Sequence, residues 1–174
     1  MSEELEFDLT LYPEPVLRKE AAPVEAFDDD LAATVAAMYR RMYASKGVGL
    51  AAPQVGIKQR ILVINPSGEA EQEGEELTLV NPRITERSRE TIDWRETCLS
   101  VPDLEVKVKR AKRITVEWQD PADGTPRSQR FEDFESVIVQ HELDHLIGTV
   151  LLDRVSGFKR SRWVKKRKRA KPTS

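Results

Sequence analysis

Gln140-His141-Glu142-Leu143-Asp144-His145-Leu146-Ile147-Gly148 decides how this chain is read. The stretch closes a segment whose apolar spacing predicts a helix from Phe134 to Ile147, with Gly148 as its stop. Four residues apart on a helix, His141 and His145 stand one turn above each other, the spacing two imidazoles need to share a metal ion. Glu142, next to the first, can lean over the ion's open position and take a proton from water. These are the only two histidines of the 174 residues. A catalytic site of this kind takes three protein ligands and leaves one position open. No third histidine exists and no glutamate follows Glu142, so two candidates remain: Cys98, the single cysteine, and Asp153, beyond His145. A thiolate is the better ligand for iron(II) or zinc.

Outward from this helix the pattern turns to strands. Leu104, Val106 and Val108 alternate with charges, Ile114 to Trp118 continues the alternation, and Asp120 to Gly124 forms a turn into Gln129 to Phe131. Nearer the start, Arg60 to Ile64 and Leu77 to Val80 read as strands on either side of a glutamate-rich surface loop, 68–76. Asp28, Asp29 and Asp30 open an earlier helix whose apolar face is Leu31, Val35, Met38 and Met42 and whose expected stop is Gly47. Tyr12-Pro13-Glu14-Pro15-Val16-Leu17 reads as extended, each proline pushing its predecessor out of the helical region. Two segments read as irregular: 47–56, and Trp94 to Pro102 around Cys98. The three glycines of the first allow close backbone approach to a ligand, and Gln54 offers an amide donor to a developing oxyanion. The expected fold class is α+β, with antiparallel β-sheets packed around a central metal-binding helix that carries the His-Glu-x-x-His pattern.

Composition narrows the function classes. One cysteine excludes a disulfide framework, and no run approaches the roughly 18 apolar residues of a membrane span. Met1 to Leu11 carries four acids and no basic cluster, so no secretory leader is expected and a cytoplasmic location is. The net charge of −2 hides a split: residues 157–174 hold nine Lys or Arg and no acid, leaving a body of −11. We therefore expect a single catalytic metallohydrolase domain at 1–156 and a basic C-terminal tail at 157–174 that seeks an anionic partner. A zinc endopeptidase with Asp153 as third ligand, and a non-enzymatic RNA-binding protein acting through the tail, are the competing readings.

The sequence resembles the peptide deformylases. The likeness runs through Gly47-Val48-Gly49-Leu50-Ala51-Ala52-Pro53-Gln54-Val55-Gly56, Glu96-Thr97-Cys98-Leu99-Ser100 and Gln140 to Gly148, and spans roughly residues 9–154. It implies that Cys98, His141 and His145 hold Fe2+, with zinc, nickel or cobalt as substitutes. It implies Glu142 as general acid/base, and Gln54 with the Leu99 backbone N–H as oxyanion donors. It implies that the backbone at Val48 and Gly49 aligns the peptide as an added strand; from their place on the helix turn before His141, Phe134 and Ile138 are expected to line a pocket for a methionine side chain. The implied reaction removes the formyl group from the N-formylmethionine of nascent chains and releases formate. The implied partners are N-formylmethionyl peptides and the ribosome near its exit tunnel, met through the tail. One position departs: Thr97 stands where the family usually has Gly, and its β-branch narrows the mouth of the site.

Overall fold

The computed structural model describes residues 4–170; residues 171–174 of the basic tail lie outside the described residues. Helix α1 spans Asp29–Ala44, and the Asp28 side chain caps it by accepting the Leu31 N–H at 3.0 Å. Strands β1 (Gly49–Ala51), β2 (Ile61–Ile64), β3 (Leu77–Arg87), β6 (Arg113–Gln119) and β7 (Pro126–Glu132) form one antiparallel sheet in the order β1-β2-β3-β6-β7. Strands β4 (Thr91–Cys98) and β5 (Val101–Ala111) form a second, two-stranded antiparallel sheet. Helix α2 spans Asp133–Leu146 and helix α3 spans Gly157–Ala170.

The alternation of side chains along a strand builds the layers. In β2 all four residues are buried because the strand has a helix on each face. Ile61 and Val63 pack with Leu31, Met38 and Met42 of α1, while Leu62 and Ile64 pack with Ile138, Val139 and Leu146 of α2. Helix α2 thus lies against the larger sheet and also touches β5 of the smaller one. The second sheet has its own core, in which Leu104, Val106 and Val108 meet Leu17, Leu151, Leu152 and Trp163.

Several local expectations change. The segment 47–56 is not irregular throughout: it contains β1 and a 3-10 turn, Ala52–Val55. Pairing with β2 supplies the hydrogen bonds that make a three-residue strand persist. Residues around Cys98 are likewise the end of β4, and Val101 opens β5 after a two-residue turn. Strand β3 continues past Val80 to Arg87, bending through register shifts at Asn81–Pro82 and near Thr85 rather than stopping there. The proline-rich start is not wholly extended. Glu14 is extended as its following proline requires, but Pro15–Arg18 closes a 3-10 turn, because Pro15 occupies a first-turn position that needs no N–H donor. Finally, α1 ends at Ala44, and Lys46 rather than Gly47 takes the left-handed backbone there (φ 58°).

Candidate metal centre

Two glycines show how tightly the elements around α2 are drawn in. Gly148 ends the turn after α2 at φ 79°, and a Cβ there would lie 2.7 Å from the Arg18 carbonyl oxygen. Gly49 sits where β1 crosses α2, and a Cβ there would stand 3.0–3.2 Å from Ile138 Cγ2 and the Glu142 side chain. The missing side chain lets β1 approach the helix.

Helix α2 presents His141, Glu142 and His145 to the end of β4. Cys98 Sγ lies 3.4 Å from His145 Nε2, and the ligand atoms of Cys98, His141 and His145 all fall within 4.8 Å of one another. Cys98, Glu142 and His145 are buried and His141 is half-buried. Burial pushes the Cys98 thiol up, but His145 and His141 beside it outweigh that and hold it well below its ordinary range. Burial raises the Glu142 carboxyl above the usual carboxylate range. Glu142 Oε1 is 3.7 Å from His141 Nε2, and its other oxygen is buried with no hydrogen-bond partner among the described residues, as is His145 Nδ1. One sulfur and two imidazole nitrogens, converging beside an unpaired carboxylate oxygen, form a donor set that fits a divalent ion of borderline softness.

The second ring nitrogen of His141 is occupied. Nδ1 meets Glu96 Oε1 at 2.9 Å, which leaves Nε2 facing Cys98 and Glu142. Glu96 in turn accepts two hydrogen bonds from Arg110, 2.8 Å from Nε and 2.7 Å from Nη2. Burial pushes the Glu96 carboxyl up, yet Arg110 and His141 more than offset it and hold the group at about 2. Arg110 Nη1 reaches Asp144 at 2.8 Å, and Arg154 grips the same Asp144 oxygen from outside. A continuous ionic chain therefore runs from His141 to the surface.

Gln54 is oriented just as firmly. Its Oε1 accepts the Ala51 N–H at 3.0 Å, so its Nε2 points to Ser100 Oγ (3.2 Å) and Cys98 Sγ (3.7 Å). A cleft of about 300 Å³ opens beside this cluster. Its walls include Val48, Gly49, Gln54, Thr97, Cys98, Leu99, Phe134, Ile138, His141 and Glu142, drawn from the start of β1, the 3-10 turn after it, the end of β4 with the turn that follows, and α2. Asp153, the alternative ligand, stands elsewhere: Arg18 and the Val150 N–H take its carboxylate.

Sequence reasoning placed Trp94 and Glu96 in the segment around Cys98 but gave them no role, and it missed Val137 and Arg110 as parts of this region. Trp94 lines the cleft and stacks on Phe134, centroids 5.2 Å apart and planes 25° from parallel. Once residues 91–98 are known to be a strand, Trp94, Glu96 and Cys98 share one face by alternation, a signal the sequence does hold. Arg110 is in phase with Leu104, Val106 and Val108, so the same alternation puts it on the buried face of β5; the sequence withholds only its partner.

A family model described as polypeptide deformylase matches residues 7–161. The peptide deformylase of Desulfotalea psychrophila is 40% identical over 158 residues, covering 91% of this chain and 92% of that protein. The peptide deformylase of Acidobacterium capsulatum is 42% identical over 162 residues, covering 91% of this chain and 94% of that one. Among solved structures, a peptide deformylase from Legionella pneumophila is similar with a TM-score of 0.85 at 34% identity, over 97% of this chain and 100% of that chain.

Proposed function

The chain belongs to the polypeptide deformylase family, enzymes that remove the formyl group from nascent peptides, and from that premise we propose the roles of its residues. The observation that carries the proposal is the convergence of Cys98, His141 and His145 beside Glu142, with the Gln54 amide aimed at the same point. Cys98, His141 and His145 hold a divalent metal, Fe2+ in the cell, with zinc, nickel or cobalt as substitutes. When bound, such an ion supplies Lewis acidity that brings the pKa of water from about 15.7 towards about 7.

Glu142 takes the proton from the attacking water and delivers it to the amine that leaves as formate is released. Its burial suits the first task, since a carboxyl raised above its usual range is a stronger base toward the attacking water, and the leaving amine, more basic still, can then take the proton from it. Gln54 Nε2 and the Leu99 N–H donate to the oxyanion that develops on the formyl carbonyl. Loss of one such donor costs roughly 3 kcal/mol of barrier stabilisation.

The peptide itself is held as a strand. Both β1 and β4 have one unpaired edge within their sheets, and Val48 and Gly49 stand beside the cleft along with Thr97 of β4. An extended substrate takes backbone hydrogen bonds from Val48 and Gly49, as β-strand addition requires. Phe134 and Ile138, with Trp94 stacked behind Phe134, receive the methionine side chain, and Thr97 narrows the mouth.

No helix among the described residues is long and apolar enough to cross a membrane; we place the enzyme in the cytoplasm, acting on new chains. Residues 1–156 form the catalytic domain, and α3 carries eight of the basic tail's nine cations. Trp163 seats α3 on the body through a 2.8 Å hydrogen bond to the Pro102 carbonyl and an edge contact with Tyr12. Phe158, 78% exposed, takes no part in that anchor. The outward cations of α3 suit ribosomal RNA near the exit tunnel, and their loss should weaken ribosome co-sedimentation at moderate salt.

The activity is tested by formate release from formyl-methionyl peptides under anaerobic conditions, with metal content measured on the same sample. Glu142→Gln should retain the metal and lose most turnover. Parental turnover in that variant at full metal occupancy would refute the assignment.

A further inference from the structure

A second cavity of about 530 Å³ lies away from the cleft, between β3, β5 and the C-terminal end of α2. Its walls carry Arg60, Arg83, Arg87, Lys109, Arg110 and Arg154 against one carboxylate, Asp144. Three of these cations are committed: Arg110 to Glu96 and Asp144, Arg154 to Asp144, and Arg83 to Glu117. Arg60 donates to the Pro82 carbonyl at 2.7 Å. Like Arg87 and Lys109, it forms no ion pair among the described residues. The three left unpaired, Arg60, Arg87 and Lys109, repel one another around one groove, on a body whose net charge is −11. A bound anion relieves that repulsion.

The form of the groove selects the anion. Arg87 and Lys109 are exposed and lie along an open rim instead of converging on one buried point. The positive charge also continues beyond the groove. Lys107 and Lys109 alternate on the outward face of β5, which runs back to α3, where Lys159 donates to the Glu105 carbonyl at 2.9 Å. Lys107 also faces Asp93 at 3.7 Å, a loose pair exposed on both sides. From there α3 adds exposed Arg162, Lys165, Lys166, Arg167, Lys168 and Arg169. Cations spaced along a track match a polymer of phosphates better than a single small anion.

We propose that this groove is an RNA-binding face, in which Arg60, Arg87 and Lys109 contact backbone phosphates and which α3 extends. It is separate from the metal cleft and does not depend on the hydrolytic reading. The test uses the full chain, a short RNA hairpin and the double variant Arg87→Gln, Lys109→Gln, with α3 untouched. The slope of log affinity against log salt should become shallower by about 2, one unit for each lost phosphate contact. Affinity at moderate salt should fall equally for hairpins of different sequence. Melting temperature and formyl-methionyl peptide hydrolysis, read on the same preparations, should stay at parental values, which separates this outcome from misfolding and from any fault in the hydrolytic reading. Unchanged affinity and slope would overturn the proposal and leave α3 alone responsible. Displacement of the hairpin by inorganic phosphate, in ionic-strength-matched buffer, would overturn it in favour of a small-anion pocket. Self-association that the same substitutions abolish, with no effect on RNA, would overturn it in favour of a second copy docking its acidic 69–76 segment.

Discussion

Arg110→Met tests the ionic chain behind His141. Arg110 and Glu96 are each 4% exposed at the side chain, and Arg110 makes three charge-assisted hydrogen bonds of 2.7–2.8 Å to Glu96 and Asp144. Methionine fills much of the same volume but leaves the Glu96 carboxylate buried without its counter-charge. Breaking a buried pair by removing one partner costs about 3–5 kcal/mol. In a chain of this size each kcal/mol moves the melting temperature by about 2–4 °C, so a fall of about 6–20 °C is expected. Urea denaturation at pH 7, at saturating and at chelated metal, measures the loss apart from the stabilisation that bound metal adds. The double variant Glu96→Gln, Arg110→Met should be less destabilised than Arg110→Met alone, because it leaves no orphan charge. Metal affinity supplies a second readout: with Glu96 no longer fixed, His141 loses its orientation and affinity should fall about 10- to 100-fold. A single variant within about 1 kcal/mol of the parent would show that Glu96 is neutral or hydrated in the folded protein, and the reasoning would fail.

Other expectations are as direct. Gly148→Ala should destabilise the fold by well over the roughly 1 kcal/mol of an ordinary glycine change, because its Cβ would collide with the Arg18 backbone at 2.7–2.8 Å; a neutral denaturation result would contradict this. Burial pushes the Asp153 carboxyl up, but Arg18 and the Val150 N–H outweigh it and hold the carboxyl below its usual range. A depressed folded pKa adds stability above the unfolded pKa of about 3.9 and loses it as pH falls through the folded value. The stability gap between parent and Asp153→Asn should therefore narrow below about pH 4, and a gap independent of pH would exclude the linkage. Asp153→Asn should keep the metal while Cys98→Ala loses it, and elemental analysis showing the reverse would restore the endopeptidase reading. Aeration of the iron form without a reductant should abolish turnover while the zinc form persists, a contrast followed by formate release.

The sequence by itself determined whatever depends on neighbours along the chain. The spacing of His141 and His145, the Asp28 cap, the alternation of β5 and the stop at Gly148 all follow from consecutive residues, because helical and strand periods are local properties. Residues 91–98 were the limiting case: Ile92, Trp94 and Cys98 keep the alternation, but the charged Glu96 on that same inward face interrupted the apolar pattern and masked the strand. Tertiary structure alone decided which of the 28 basic residues stands behind Glu96, how the Gln54 amide is turned, and that Asp153 belongs to Arg18. It also decided that Trp163, and not Phe158, anchors α3. Each of these joins residues far apart in the chain, across a sheet register or a helix crossing. A sequence names the charges and amides available for such pairings, but only the packed backbone brings one donor within hydrogen-bonding distance of one acceptor and removes the water that would otherwise satisfy both.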